Sequence, residues 1–511
     1  MYPRFVPSEE DTLLVKVNAI AEPMTIEEFL ELPVPKGKPQ YQYLFNLCLF
    51  ASRPEKRSKL PDDLDDDIRD SPLLKSLWEK CQPHQKRSII KVIKEQNGRS
   101  IVALDMGLGK TFLSIFICLY YGGKVLIISP AGVPMVQFVE QFKYWSNNTV
   151  SIGQIKHSKK KINFDDHQVW IVSTDLGKLM DGVFDQVKWQ TIIVDEAHSL
   201  KGEDSIRSDK WIPLIQKHCQ TCLLLTGTPQ DSKTSDLYNL LWAVQPRLFP
   251  SRDMFMERYC ILKEMEVRLG FKKIKTIKEV GCKLSEELYL VLRQFMVRET
   301  TASAGQAPTG QSNELRRRIL PIQLPLGVPL KNTSGIPYNE FWQKSDMAKM
   351  PYAWPIIKEE IDHTKNGKVV IYCYHLAVAK YLMEQLNQAG IPHCYIDGNI
   401  LVKQRKEMTK SLANADDLTY KVGLLTLGSS STAIHLAPGV VKEIFAQMYY
   451  SPAMMKQAEK RAARLGQLVP VETIWLVAKG TVDETMIKNL NRKLKMFSDH
   501  IDGGRETLVL R

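Results

Sequence analysis

The chain has 511 residues, room for about three ordinary domains or two large ones. Hydrophobic residues are 44% and charged residues 25%, a soluble globular balance that excludes a wholly disordered chain. Lys and Arg number 69 against 57 Asp and Glu, a net charge of +12 that only hints at a polyanion partner, and nine Cys are too sparse for a disulfide scaffold.

The first eleven residues carry Pro3, Arg4, Glu9 and Glu10 and no apolar core, so no secretory signal is expected there. The longest apolar stretch, Phe112–Gly123, falls short of the ~20 residues of a membrane span. The expectation is a soluble intracellular protein, nuclear if the source is eukaryotic, with no membrane partner. An acidic run holds Asp62, Asp63, Asp65, Asp66, Asp67 and Asp70. Basic runs lie at Lys156–Lys161, Lys263–Lys278, Arg316–Arg318 and Lys456–Arg464. Cys219 and Cys222 form a CxxC without a second pair, which reads as reduced core thiols rather than a zinc site.

Apolar runs at Ser100–Leu104, Lys124–Ser129, Val169–Ser173, Thr191–Val194 and Cys222–Thr226 predict buried strands. Helical patterns at Thr111–Tyr121 and Met135–Trp145 alternate with them. Strand and helix in this rhythm predict a parallel sheet covered on both faces. A helical stretch at Asp236–Tyr259 breaks the rhythm. Thr300–Asn313 and Leu326–Asn339, rich in small and turn-forming residues, read as flexible connections. The rhythm restarts at Lys368–Tyr374, with a helix at Leu376–Gln388. Strands follow at His393–Ile396, Gly423–Leu427, Glu443–Gln447 and Glu472–Val477.

After the strand Ile101–Leu104 comes Asp105-Met-Gly-Leu-Gly-Lys110-Thr111 and a helix. Gly107 and Gly109 let backbone N–H groups approach phosphate oxygens, and the helix start adds partial positive charge. Lys110 suits the β- and γ-phosphates and the Thr111 hydroxyl suits Mg²⁺. The strict pattern has Gly where Leu104 stands. Further on, Asp195-Glu196-Ala-His198 closes an apolar strand, where α/β sheets place ligand chemistry. Asp195 suits Mg²⁺, and Glu196 suits a base that orients the attacking water.

These motifs, with Leu225-Thr226-Gly227-Thr228-Pro229, resemble motifs I, II and III of superfamily-two helicases, and more closely the Swi/Snf-type DNA translocases. Pro83-His84-Gln85 resembles the adenine-binding motif, Ile128-Ser129-Pro130 motif Ia, and Ile171-Val-Ser-Thr174 the strand after it. Thr426–Leu436 resembles motif V, with Ala433 where relatives carry Gly. Gln457–Gln467 resembles motif VI and Val477–Glu484 the segment after it. Leu237-Tyr238-Asn-Leu, Arg247-Leu-Phe-Pro and Arg258-Tyr-Cys look most like the annealing-helicase (HARP-type) branch.

The resemblance implies an α/β fold of two RecA-like parallel-sheet lobes, with a helical insertion and a small N-terminal extension. The expected domains are the extension at 1–75, lobe 1 at 76–295 with the insertion from about 236, a flexible linker at 296–345, and lobe 2 at 346–511 with a C-terminal helix. ATP and Mg²⁺ are the implied cofactors. Gln85 would contact adenine, and Asp105, Met106, Gly107, Leu108, Gly109, Lys110 and Thr111 would cradle phosphate. Thr111 and Asp195 would hold the metal, Asp195 and Glu196 would serve hydrolysis, and Gln457 would contact nucleotide. Arg461 and Arg464 would act as arginine fingers; their spacing of three can place both on one helix face. Ser129, Thr174, Thr228, Ser429, Ser430 and Ser431 would meet DNA phosphates.

The implied activity is ATP-driven translocation on double-stranded or branched DNA, remodelling DNA or protein–DNA complexes. A strand-separating DNA or RNA helicase and a catalytically silent nucleic-acid scaffold stay open. The basic segment at 263–278 reads either as a hairpin toward DNA or as a solvated ribbon guarded by lysines.

Overall fold

The computed structural model describes residues 4–7, 13–16, 64, 66–158, 162–200, 206–230, 233–249, 251–269, 272–301, 303–304, 314–325, 337–428, 434–464 and 466–502. Ser429, Ser430 and Ser431 lie outside them, as do 305–313, 326–336 and Asp62, Asp63 and Asp65 of the acidic run.

The strands in chain order are β1 (Arg4–Pro7), β2 (Leu13–Lys16), β3 (Arg99–Leu104), β4 (Val125–Ser129), β5 (Ile152–Ile155), β6 (Val169–Ser173), β7 (Trp189–Val194), β8 (Cys219–Leu225), β9 (Cys260–Leu269), β10 (Lys272–Cys282), β11 (Met296–Glu299), β12 (Leu315–Ile322), β13 (Lys368–Cys373), β14 (His393–Ile396), β15 (Val422–Thr426), β16 (Val440–Phe445) and β17 (Val471–Ala478). The chain divides into two compact units.

Unit 1 comprises Met1–Ala131, Met135–Ala304 and Lys495–Thr507. Its sheet has the order β11-β3-β8-β7-β4-β6-β5, and every pairing is parallel. Strands such as Val-Leu-Ile-Ile at 125–128 and Thr-Ile-Ile-Val at 191–194 are buried throughout, as sheets covered on both faces require. One face packs Trp189, Trp211 and Phe184; the other packs Phe116, Phe142 and Trp78.

The helices Asp236–Val244 and Arg252–Tyr259 are part of this core. Leu237, Leu240, Leu241, Phe255 and Tyr259 are all 0% exposed. The antiparallel ribbon β9–β10 follows, and the helix Ser285–Phe295 leads back to β11.

Unit 2 comprises Gly132–Pro134, Gly305–Leu494 and Leu508–Arg511. Its sheet has the order β12-β17-β16-β13-β15-β14 and is also parallel throughout. Tyr372, Phe445 and Trp475 fill one face; Ile371, Ile444, Leu382 and Ile357 fill the other.

The expected domain borders need correction. The stretch at 296–345 is not all linker: β11 pairs with β3 in unit 1, β12 is an edge strand of unit 2, and the helix Tyr338–His363 follows. The charged sequence of β12 hid a strand because its arginines are matched by acids on neighbouring elements. Arg317 forks onto Glu459 at 2.8 Å and Arg318 reaches Glu472 at 2.6 Å. The region before residue 76 also contributes, since Leu64, Ile68 and Leu74 are buried in the unit 1 core. The helix Val482–Ile501 begins in unit 2, and its residues from Lys495 belong to unit 1. Among the described residues no helix is long and apolar enough to cross a membrane.

Candidate nucleotide site

In unit 1 the motifs arise at the carboxyl ends of four adjacent strands, β3, β8, β7 and β4. The loop after β3 makes two left-handed bends, at Gly107 and Gly109, both with φ of +86°. A Cβ on Gly109 would stand 2.3 Å from Gln85 Nε2, so the position accepts glycine for space as well as for backbone angle. The helix Lys110–Tyr121 starts immediately after. Lys110 Nζ lies across the loop and donates to the Leu104 carbonyl at 2.7 Å. The turn after β8 runs close by: a Cβ on Gly227 would lie 3.5 Å from that Nζ and 3.5 Å from Met106.

Two side chains from the helix Pro83–Ile90 grip the same loop. Gln85 Nε2 and His84 Nε2 both donate to the Leu108 carbonyl, at 3.2 and 3.1 Å. Gln85 Oε1 accepts from the Gln82 backbone N–H, which orients the amide. The sequence pointed to Gln85; the neighbouring His84 does equal work on the loop.

Asp195 follows β7. Its Oδ2 accepts from the Ser129 hydroxyl at 3.2 Å, and its Oδ1 accepts from the Glu196 N–H at 3.1 Å. Burial, then the adjacent Glu196 carboxylate, push the Asp195 carboxyl up to about 7; Lys110 and the Ser129 hydrogen bond pull the other way. Glu196 itself sits at φ +51°, a left-handed backbone rare outside glycine and common where a site fixes a side chain. His198 Nδ1 stands 3.2 Å from Glu196 Oε2.

Among the described residues no group of three or more His, Cys, Asp or Glu could hold a metal.

Two DNA-contact expectations are corrected. Ser129 is 0% exposed and spends its hydroxyl on Asp195, so it serves the acid pair. Thr174 is also buried, at the start of a short helix capped by Ser173. Thr228 is half-buried, and its backbone N–H and C=O both bond the Thr226 hydroxyl.

In unit 2 Gln457 is buried on the helix Pro452–Glu459. Arg461 and Arg464 do not share that helix: it ends at Glu459, and both arginines lie in the turns after it. Glu459 is held by Arg317 and by the Trp475 indole, which fixes where the helix stops. Tyr372 donates to the Ala458 carbonyl at 3.1 Å, and the Arg461 N–H bonds the same oxygen at 3.0 Å. Arg461 is 1% exposed. Burial and the charge of Arg461 lower Arg464 to about 10, so this spot favours an anion.

A family profile described as the SNF2-related domain matches residues 84–316, from the histidine that grips the phosphate loop into β12. Residues 84–316 are thus similar to the SNF2-related domain. The chain is 27% identical over 440 residues to a SWI/SNF-related matrix-associated actin-dependent regulator of chromatin subfamily A-like protein 1 of Xenopus tropicalis, covering 82% of this chain and 45% of the relative. It is 26% identical over 462 residues to the DNA annealing helicase and endonuclease ZRANB3 of Mus musculus, covering 84% of this chain and 41% of the relative. The chain thus spans about half the length, or less, of these relatives. A solved Sulfolobus solfataricus SWI2/SNF2 ATPase core in complex with dsDNA is 18% identical and covers 83% of this chain and 93% of that one. Its TM-score is 0.40.

Proposed function

We propose that this chain is an SNF2-type, DNA-dependent ATPase that translocates on double-stranded DNA and remodels branched DNA or protein–DNA complexes. One observation carries the nucleotide half: the Lys110 loop, the Asp195–Glu196 pair and the Thr226–Gln230 turn meet at the ends of adjacent strands. Lys110 and the loop amides bind the triphosphate, Thr111 and Asp195 hold Mg²⁺, and Gln85 and Gln457 contact nucleotide. Mg²⁺, when bound, neutralises the charge that develops on the phosphates. Glu196 orients and deprotonates the attacking water. Arg461 and Arg464 stabilise the charge on the transferring phosphoryl group, for which planar forked donors are suited.

The DNA half draws on the relatives. One is named a DNA annealing helicase. Grip on backbone phosphates carries no base information and weakens with salt. With Ser129 and Thr174 buried, that grip falls to other residues, Thr228 and the serines at 429 and 430 included.

The test is phosphate release with single-stranded, duplex and forked DNA, beside displacement of a triplex-forming strand. Duplex-stimulated hydrolysis with triplex displacement is expected, and Lys110→Ala should abolish hydrolysis while leaving DNA binding. Unwinding of a fork without triplex displacement would favour a strand-separating helicase. Absence of DNA-stimulated phosphate release would leave a binding scaffold.

A further inference from the structure

Two residues near the end of the described chain, the buried His500 and the half-buried Asp502, connect to both loops of the nucleotide site within unit 1. Arg298 on β11 lies opposite Ala103 in the parallel register with β3. Its Nη1 donates to the Ala103 carbonyl at 3.0 Å and to Asp105 Oδ1 at 2.9 Å. Its Nε donates to Asp502 Oδ1 at 2.8 Å. The second oxygen of Asp105 accepts from the Thr301 N–H at 3.2 Å and lies 3.4 Å from the Thr301 hydroxyl. The first residue of the phosphate loop is thereby fixed through both of its carboxylate oxygens.

Two residues before Asp502, His500 is 0% exposed and hydrogen-bonds Gln230 Oε1. Gln230, 1% exposed, closes the Thr226–Gln230 turn whose Gly227 adjoins Lys110.

We propose that His500 and Asp502 form a latch that holds the phosphate loop and the Thr226–Gln230 turn in their nucleotide-binding positions, acting as positioning residues through Arg298 and Gln230. The inference rests on the nucleotide reading given above. The physical ground is that a buried guanidinium is costly unless its charge is matched, and here it is matched from two sides. Burial opposes its charge, and Asp105 and Asp502 outweigh that, so Arg298 stays charged. Neutralising Asp502 leaves the guanidinium pulled toward Asp105 alone. The loop then loses preorganisation, and binding pays for the lost order.

The test uses the full chain and a fluorescent ATP analogue in Mg²⁺, with Asp502→Asn, Asp502→Glu and Thr301→Val. Asp502→Asn should raise the analogue Kd by about tenfold, equal to about 1.4 kcal/mol. Turnover at saturating ATP and DNA should change far less, and Asp502→Glu should recover binding. Thr301→Val should shift Kd in the same direction, and it carries the test if Asp502→Asn fails to fold. Unchanged Kd in either folded variant overturns the latch. Wild-type protein that binds no analogue overturns the nucleotide reading instead.

Discussion

Arg461 and Arg464 aim Nη1 at one carbonyl oxygen, that of Ile434, at 3.3 and 3.4 Å. Two like charges on one acceptor repel each other; burial first, and then the charge of Arg461, lower Arg464. A bound anion would relieve that repulsion, which is the role proposed for the pair. Arg461→Ala should leave ATP binding near wild type and cut turnover by roughly 10³-fold, the lower end of what such fingers supply. Phosphate release at saturating ATP decides it, and near-normal turnover would remove Arg461 from the reaction.

Asp195 sits above its unfolded value, so its carboxyl is at its most favourable when protonated. A raised carboxyl costs stability as pH climbs from the unfolded value of about 4 through about 7. Metal-free Asp195→Asn should therefore melt higher than metal-free wild type at pH 8 and match it at pH 4. Added Mg²⁺ should raise the wild-type melting temperature and leave the variant unmoved. Thermal melts with and without chelator would show whether the cost is real.

Gly109→Ala confronts Gln85 and a left-handed backbone together. The expected cost is about 1–3 kcal/mol, with loss of nucleotide binding beyond what stability explains. Urea midpoints and analogue binding on the same sample separate the two effects. A variant that binds normally would mean the loop has more slack than its distances allow.

His500 is lowered by burial to about 3. Its folded value lies below the unfolded ~6.5, so its stability contribution is full above pH 6.5 and drains away as pH falls toward 3. The slope is at most about 1.4 kcal/mol per pH unit. Urea midpoints should fall between pH 7 and pH 5, and His500→Gln should flatten that fall. An equal fall in the variant would assign the acid loss to other groups, such as His435, which burial and then Arg464 lower to about 4.

Local pattern carried much of the fold. β4, β6 and the helix Leu376–Gln388 stand where apolar runs and helical spacing placed them, and for the two strands burial on both faces leaves an uninterrupted signal. The Lys110 loop and the acid pair were legible for the same reason: each is written within a few residues. β12 was not, since its stabilising acids, Glu459 and Glu472, come from far along the chain. Arg298 and Asp502 were invisible for the same cause, being 204 residues apart in sequence. Ser129 was legible as a motif residue, while its burial and its bond to Asp195 were not, because sequence does not display burial.

The place of β11 beside β3 sets an order of events during synthesis. Ile101 cannot meet its partner Met296 until roughly two hundred further residues have left the ribosome, on the order of ten seconds or more. Throughout that interval one rim of the nascent sheet stays open, and a chaperone or a neighbouring polysome has its chance to cover it.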